Sequence, residues 1–365
     1  MNNQTVHVNL AERSYDIRIG VKNIAEAAEM LAAAETVSHA VVITDENVRQ
    51  PHALAVAESL ADKSINADVI SFEPGEPSKS VDMAAGLWQG LLEVGTDRRS
   101  VVVAVGGGVV GDLAGFIAAT FARGVRFFQV PTTLLAQVDS SVGGKVGINL
   151  PDAKNMVGAF LQPMGVLIDT ATLDTLEPRE YRAGLGEVVK YGVILDATLF
   201  EYLEGHVEGL LNRDHDVLNH VIARCCRLKA DVVENDERET TGLRAVLNYG
   251  HTFAHPIEEL SGYGEFLHGE AVSIGMLCAS RLAELLGRVD SAFTERQRKL
   301  LKALQLPVDL PPLDVERIME QMMHDKKVEH GKLRFVLPKT MGSVTGRRHR
   351  PGGSPRGVAD FVMHR

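Results

Sequence analysis

The chain has 365 residues, long enough for about two domains, and is 45% hydrophobic, 24% charged and only 5% aromatic, which suits a soluble α/β protein rich in Val, Leu and Ala. Net charge is −10, and five arginines against the single Asp360 from Ser343 onward give the tail +4 and leave a body of −14, too acidic to track nucleic acid. The opening MNNQTVHVNLAERS has no secretory pattern, the most apolar run (Val101 to Val110) is short and broken by three glycines so no membrane span is expected, and three cysteines with two adjacent point to a reducing cytoplasm.

Residues 5–10 (TVHVNL) and 14–20 (SYDIRIG) alternate apolar and polar side chains about a short turn, the pattern of a β-hairpin. Buried-strand runs follow at 40–44, 68–72, 100–105, 126–130 and 165–169, with helical periodicity near 23–34, 50–62 and 80–94. Strands alternating with helices predict a Rossmann-like α/β domain with a mostly parallel, doubly wound sheet over residues 1–175. After Thr170 amphipathic patterns dominate, at 178–204, 215–235, 249–260, 268–287, 291–304 and 313–324, with one strand-like run at 332–337 (KLRFVL). These predict an all-α domain over 176–342, followed by a basic tail, 343–365, read as disordered. A ligand cleft is expected between the domains, near the carboxyl ends of the strands.

In SVVVAVGGGVVGD (100–112), Gly106, Gly108 and Gly111 fit G-x-G-x-x-G directly after a strand. Glycines there let backbone N–H groups approach a pyrophosphate, and they equally suit a tight strand–helix turn. The acid expected about twenty residues on is missing. Asp45 and Asn47 in TDEN, at an upstream strand end, are the best substitutes. Glu76 and Lys79 in PGEPSK (74–79) could hold an adenosine hydroxyl and a phosphate or merely decorate a turn; Thr132 and Thr133 are cofactor contacts or helix caps. In DSSVGGKVGIN (139–149), followed by Lys154 and Asn155, the glycines beside Lys145 read as a flexible cationic loop for a phosphate or nicotinamide edge, or as a solvated loop.

Glu187 and Lys190 in AGLGEVVKYG (183–192) share one face of an apolar helix, as an internal ion pair or part of a site, since buried charges need partners or a metal. In NYGHTFAH (248–255), His251 and His255 stand one helical turn apart without the glutamate a metalloprotease carries between them. Such a pair fits two ligands, a ligand and an acid/base group, or two surface histidines, because i and i+4 share a face in any helix. With Glu187 and His268 of LHGE (267–270), His251 completes a set of two imidazoles and one carboxylate, leaving a fourth position open on Zn2+. His255 is then available as a proton carrier near neutral pH. Arg123, Lys229, Arg244 and the D-K-K run at 325–327 read alone as surface charge.

The strings GGGVVGDLAGF, ATFARGVRFFQVPTTLLAQVDSSVGGK, KNMVGAF, GLGEVVKYG, LNYGHTFAH, LHGEAV and DKK, in this order, closely resemble the 3-dehydroquinate synthase family, from the N-terminal hairpin to about Met341. The resemblance implies conversion of 3-deoxy-D-arabino-heptulosonate 7-phosphate to 3-dehydroquinate and phosphate, using bound NAD+ and a divalent metal, Zn2+ or Co2+. A ring hydroxyl is oxidised, phosphate is eliminated, the ketone is reduced back, and the ring opens and recloses with no net redox change. It implies a cytoplasmic lyase of the shikimate pathway that forms a homodimer. It makes Glu187, His251 and His268 the metal ligands, and Arg123, Lys145, Asn155, Lys190, Lys229, Arg244, Asn248, His255 and Lys327 the holders of the substrate's carboxylate and phosphate. NAD+ is expected against Asp45, Asn47, Glu76, Lys79, Gly107, Gly108, Gly111, Asp112, Thr132, Thr133, Asp139, Lys145 and Lys154. An acidic body with a doubly anionic substrate needs such a local cluster of cations.

Two features depart from the family. Pro256 follows His255 where a small helix former is usual; a proline inside a helix removes a backbone donor and clashes one turn back, a cost tolerable only in the first turn, where its missing N–H goes unused. The stretch TGRRHRPGGSPRG replaces the family's final amphipathic helix. Rival readings are a metal-dependent polyol dehydrogenase, another sugar-phosphate cyclase, and an inactive cofactor-binding homologue.

Overall fold

The computed structural model describes residues 3–33, 37, 39–151, 153–262, 265–324 and 335–345. The chain divides into two compact units, Met1–Glu177 with His215–Arg238, and Pro178–Asp214 with Glu239–Arg365. Among the described residues no helix is long and apolar enough to cross a membrane.

Unit 1 opens with the antiparallel hairpin β1 (Gln4–Val8) and β2 (Tyr15–Gly20). There follow α1 (Glu26–Ala33), β3 (His39–Asp45), the single turn α2 (Glu46–Val48), α3 (Leu54–Asp62), β4 (Asn66–Phe72) and α4 (Val81–Glu93). Next come β5 (Val101–Gly106), α5 (Gly108–Thr120), β6 (Arg126–Pro131), a separate hairpin of β7 (Lys145–Leu150) and β8 (Ala153–Phe160), and β9 (Val166–Asp169). Seven strands form one sheet in the order β1-β2-β9-β6-β5-β3-β4, parallel except for β1–β2. Alternate side chains serve opposite faces. Val41, Ile43, Val102 and Ala104 pack with Leu87, Leu91, Leu113 and Ile117 of α4 and α5, while Ala40, Val42, Val101 and Val103 pack with Leu31, Val56 and Leu60 of α1 and α3. Burial on both faces is why these strands read as continuous apolar runs. The neighbours β3 and β5 send their chains in opposite directions, β3 through α3 to the edge strand β4 and β5 through α5 to β6. That is a topological switch point, where such sheets bind ligands beyond the strands' carboxyl ends.

Within the segment read as a flexible loop after Asp139, residues 141–144 do form a turn, with Gly143 and Gly144 at positive φ, but it is bounded by a short π-helical turn (Ala136–Ser140) and by β7, which opens at Lys145 in its hairpin with β8. Glycines disguised these strands. A Cβ on Gly147 would stand 2.7 Å from the Val157 carbonyl oxygen, and one on Gly158 2.4 Å from that of Val146. Close backbone approach demands glycine there and weakens the apolar alternation that marks a strand.

Unit 2 begins with α6 (Pro178–Ile194), α7 (Ala197–Gly205) and α8 (Val207–Leu211). The expected single helix at 178–204 is broken because Asp196 caps α7, accepting from Thr198 N and Leu199 N. The next helix, α9 (His215–Asn235), lies with unit 1 rather than with the helical half expected from its sequence position. It packs on β1; Asn9 N donates to Glu234 Oε1 at 2.9 Å and Cys226 Sγ to the Gln137 carbonyl at 3.2 Å. Unit 2 resumes with α10 (His251–Leu260), α11 (His268–Leu285), α12 (Ser291–Ala303) and α13 (Val315–His324), then a hairpin of β10 (Leu337–Thr340) and β11 (Ser343–Thr345). The strand expected at 332–337 therefore begins at Leu337 among the described residues, and the tail from 346 lies outside them.

Pro256 is the sixth residue of α10, past the first turn where its missing N–H would go unused. Its nitrogen has no hydrogen to donate to the Thr252 carbonyl four residues back. Pro256→Ala is expected to stabilise the chain by about 2–3 kcal/mol, the helix-interior penalty of proline less the entropy it removes from the unfolded chain. A melting temperature that stays level or falls would contradict this.

Candidate active site

Three helices of unit 2 bring the predicted metal ligands together. Glu187 and Lys190 lie on the buried side of α6, 0% and 1% exposed, with the Lys190 ammonium in contact with Glu187 Oε2. His251 and His268 are the first residues of α10 and α11. Glu187 Oε1 is 3.7 Å from His251 Nε2 and 3.4 Å from His268 Nε2, and one donor atom from each residue lies within 4.8 Å of the others. In tetrahedral zinc sites with bonds of about 2.0–2.1 Å, neighbouring donors are roughly 3.3 Å apart. Donor types and spacing both fit a divalent cation.

Each imidazole has its second nitrogen engaged. His251 Nδ1 lies 3.2 Å from the Tyr249 carbonyl oxygen, and His268 Nδ1 is 3.5 Å from Glu258 Oε2. Desolvation disfavours the charged His268 ring, but hydrogen bonds to Glu187 and Glu258, with their charges, raise its pKa to about 10. A cation must displace a proton there.

A glycine flanks every ligand where helices cross. A Cβ on Gly186 would stand 2.4 Å from the Gly269 carbonyl oxygen, one on Gly269 1.7 Å from that of Ala183, and one on Gly250 2.8 Å from Met276 N. Backbone therefore meets backbone, and the ligand-bearing turns approach with no side chain between them. His255 follows His251 by one turn, its ring edge-on at 5.6 Å between centroids. Arg244, 3% exposed and 3.6 Å from Glu239, and Asn248 sit in the 3-10 helix (Leu243–Asn248) leading into His251. Lys327 lies outside the described residues.

Unit 1 gathers a second group at the carboxyl ends of its strands. Lys79, buried, contacts Asp112 Oδ2 at 2.8 Å, Asn155 Oδ1 at 2.5 Å and Glu76 Oε1 at 3.4 Å. Desolvation alone would lower the Lys79 pKa; the charges of Asp112 and Glu76 reverse this and raise it. Asn149, which sequence reasoning passed over, joins Glu76 at 2.8 Å and the Asn155 backbone N–H at 2.8 Å. Lys229 reaches across from α9 to Asp139 Oδ1 at 2.8 Å. The turn Gly106–Gly107–Gly108 enters α5 without a side-chain cap, and a Cβ on Gly107 or Gly108 would crowd Thr133 or Ser140 at 3.0 and 3.2 Å. Gly111 lies in the first turn, where a Cβ would meet Gln129 Oε1 at 3.1 Å. Thr132 Oγ1 is buried with no hydrogen-bond partner among the described residues. Bare helix N–H groups, a glycine cradle and an orphaned hydroxyl suit a dinucleotide's pyrophosphate. Asp45 at the end of β3 caps α2 through Asn47 N and Val48 N, and burial raises its pKa. Lys145 and Lys154 are exposed on the β7–β8 hairpin.

Arg123 is not brought to this group. It follows the far end of the 13-residue helix α5, about 20 Å from the glycine turn at 1.5 Å per residue, exposed and with φ of 69°. A different trio lies at the amino ends of the strands, where His39 contacts Ser100 Oγ at 3.0 Å and Asp68 Oδ2 at 2.9 Å. Ser100 is 1% exposed and its hydroxyl is bonded to Asp97, so this trio clamps strand ends and offers no nucleophile.

The family model for the 3-dehydroquinate synthase N-terminal region matches residues 69–183, and that for the C-terminal region matches 184–328. The chain belongs to the 3-dehydroquinate synthase family. It is 52% identical over 347 residues to the 3-dehydroquinate synthase of Rhodopirellula baltica, covering 93% of this chain and 92% of that protein. It is 48% identical over 342 residues to that of Geotalea uraniireducens, covering 94% and 95%. Among solved structures, 2-deoxy-scyllo-inosose synthase, complexed with carbaglucose-6-phosphate, NAD+ and Co2+, superposes with a TM-score of 0.88 at 26% identity, covering 99% of this chain and all of that one. ValA, the 2-epi-5-epi-valiolone synthase of Streptomyces hygroscopicus with NAD+ and Zn2+ bound, gives 0.87 at 27% identity, covering 98% and 97%. The 3-dehydroquinate synthase family thus shares its fold with other cyclases, and the α/β domain joined to a helical domain is the architecture expected from the sequence.

Proposed function

We propose that this chain converts 3-deoxy-D-arabino-heptulosonate 7-phosphate to 3-dehydroquinate and phosphate, using NAD+ and Zn2+ or Co2+. The observation that carries this reading is the convergence of Glu187, His251 and His268 beside buried Lys190. Substrate choice rests on relatedness: 46–52% identity to curated 3-dehydroquinate synthases, against 26–27% to the solved cyclases of other sugars.

Glu187, His251 and His268 would hold the metal, and the glycine turn with Thr132, Thr133, Glu76, Lys79 and Asp112 would hold NAD+. When bound, the ion lowers the pKa of a substrate hydroxyl and NAD+ takes up and returns its hydride. Lys190, Lys229, Arg244 and Lys145 supply positive charge for the substrate's carboxylate and phosphate, with Asn155 and Asn248 as hydrogen-bonding partners. Burial strengthens the charges of Lys190, Lys229 and Arg244, because a cation held away from water attracts an anion through a low dielectric. His255, one turn from His251, takes or returns a proton at the substrate's phosphate side. A homodimer and a cytoplasmic location belong to the same reading; light scattering tests the first, with a monomer mass counting against it.

The deciding assay follows phosphate release from the heptulosonate phosphate with NAD+ and Zn2+, together with NADH absorbance. Sustained release without NADH build-up is expected, since the hydride returns in each turnover. Accumulating NADH would indicate a dehydrogenase, and a folded, zinc-loaded chain that releases no phosphate would also overturn the proposal.

A further inference from the structure

We propose that Glu258 is a positioning residue for the metal centre, holding the His268 ring by Nδ1 so that Nε2 faces Glu187. This rests on the metal-binding reading above. Glu258 Oε2 is 3.5 Å from His268 Nδ1, while Nε2 of the same ring is 3.4 Å from Glu187 Oε1. The imidazole thus spans two carboxylates, one on α10 and one on α6.

The two ligand histidines differ in what fixes them. His251 has a backbone carbonyl, Tyr249 O, two residues away on its own segment. His268 starts α11 with a third of its side chain exposed, and its Nδ1 faces a carboxylate borne by a different helix. Glu258 itself is only 14% exposed, so its carboxylate is held where water competes little. Positions 251, 255 and 258 share one face of α10, spaced by four and three residues. One helix therefore carries a ligand, the neighbouring His255 and the support of a ligand on the next helix.

The chemistry favours this arrangement. A carboxylate accepting from Nδ1–H fixes the tautomer with its lone pair on Nε2, stops ring rotation and makes the ring a stronger donor. Loss of such supports typically costs 10–100-fold in metal affinity. A purely structural ion pair between α10 and α11 would instead act on stability and leave metal affinity alone.

The test uses the full chain with Glu258→Ala, Glu258→Gln and, as a reference, Glu187→Gln. Zinc affinity is measured by competition with a chromogenic chelator, and the melting temperature is measured in EDTA. Glu258→Ala should weaken zinc about 10–100-fold. Glu258→Gln should recover part of that, because its amide oxygen still accepts from Nδ1, with the EDTA melting temperature unchanged. The Co2+-loaded spectrum should shift in both variants. Should the alanine variant fail to fold, the glutamine variant decides: a several-fold loss at unchanged melting temperature supports the role, and wild-type affinity overturns it. The role also falls if both variants lose zinc only in proportion to lost stability. If Glu187→Gln binds zinc as the wild type does, the metal assignment falls, and Glu258's role with it; if only Glu187→Gln loses zinc, Glu258 alone is refuted.

Discussion

Glu187→Gln is expected to remove the metal, abolish turnover and destabilise unit 2 by about 3–5 kcal/mol at once. The first two losses follow from deleting the one carboxylate among the three converging donors. The third follows from Lys190, which is 1% exposed and in contact with Glu187. Stripping one member from a buried ion pair leaves the other charge uncompensated in a low dielectric, at about 3–5 kcal/mol. A double variant separates the effects. Glu187→Gln with Lys190→Met should regain most of the stability, because no buried charge is then stranded, yet bind no zinc. Calorimetry in EDTA and chelator competition read the two quantities independently. The account fails if the single variant keeps wild-type zinc affinity, or if the double variant is no more stable than the single one.

Gly269→Ala is expected to disrupt the centre as thoroughly while changing no ligand. The added Cβ would lie 1.7 Å from the Ala183 carbonyl oxygen, a backbone atom that no rotamer change can move. Overpacking of this kind costs about 1–3 kcal/mol, and more where helices must separate. Separation of α6 from α11 carries Glu187 away from His268, since Gly269 adjoins His268 and Ala183 lies one turn before Glu187. Zinc affinity should therefore fall by more than tenfold, with a lower melting temperature. Gly205→Ala, at a glycine with nothing within 4 Å of the added atom, is the matched control and should leave both unchanged. Equal behaviour of the two variants would refute the crossing as the cause.

The elements that were legible in sequence are those whose own residues specify them. The central strand β5 is apolar throughout and β3 and β6 carry apolar runs because both faces of the sheet are covered, and the long helices show an apolar stripe at helical spacing. The β7–β8 hairpin was not legible, because Gly147 and Gly158 serve the partner strand and dilute the local pattern. The assignment of α9 to unit 1 was equally hidden. An amphipathic helix states which face it buries, not against what, and α9 satisfies that face on β1 and the Ala136–Ser140 turn.

The same division runs through the site. Side-chain type and order along the chain were enough to nominate Glu187, His251 and His268, and local spacing placed His255 one turn from His251. The i+7 spacing of Glu258 from His251 was present too, but a glutamate late in an amphipathic helix reads as solvated surface until His268, on another helix, is found at its side. Arg123 shows the converse: its motif looks the same whether or not the fold carries it to the cations, and α5 leaves it at the opposite end. By itself, then, the sequence determined the strands of the main sheet, most of the long helices, the donor chemistry and the family, all of which depend on residue identity and near neighbours. Tertiary structure alone decided which donors meet, how closely and with what support, because those depend on helix crossings whose distances are set by glycines in contact with backbone far away in the chain.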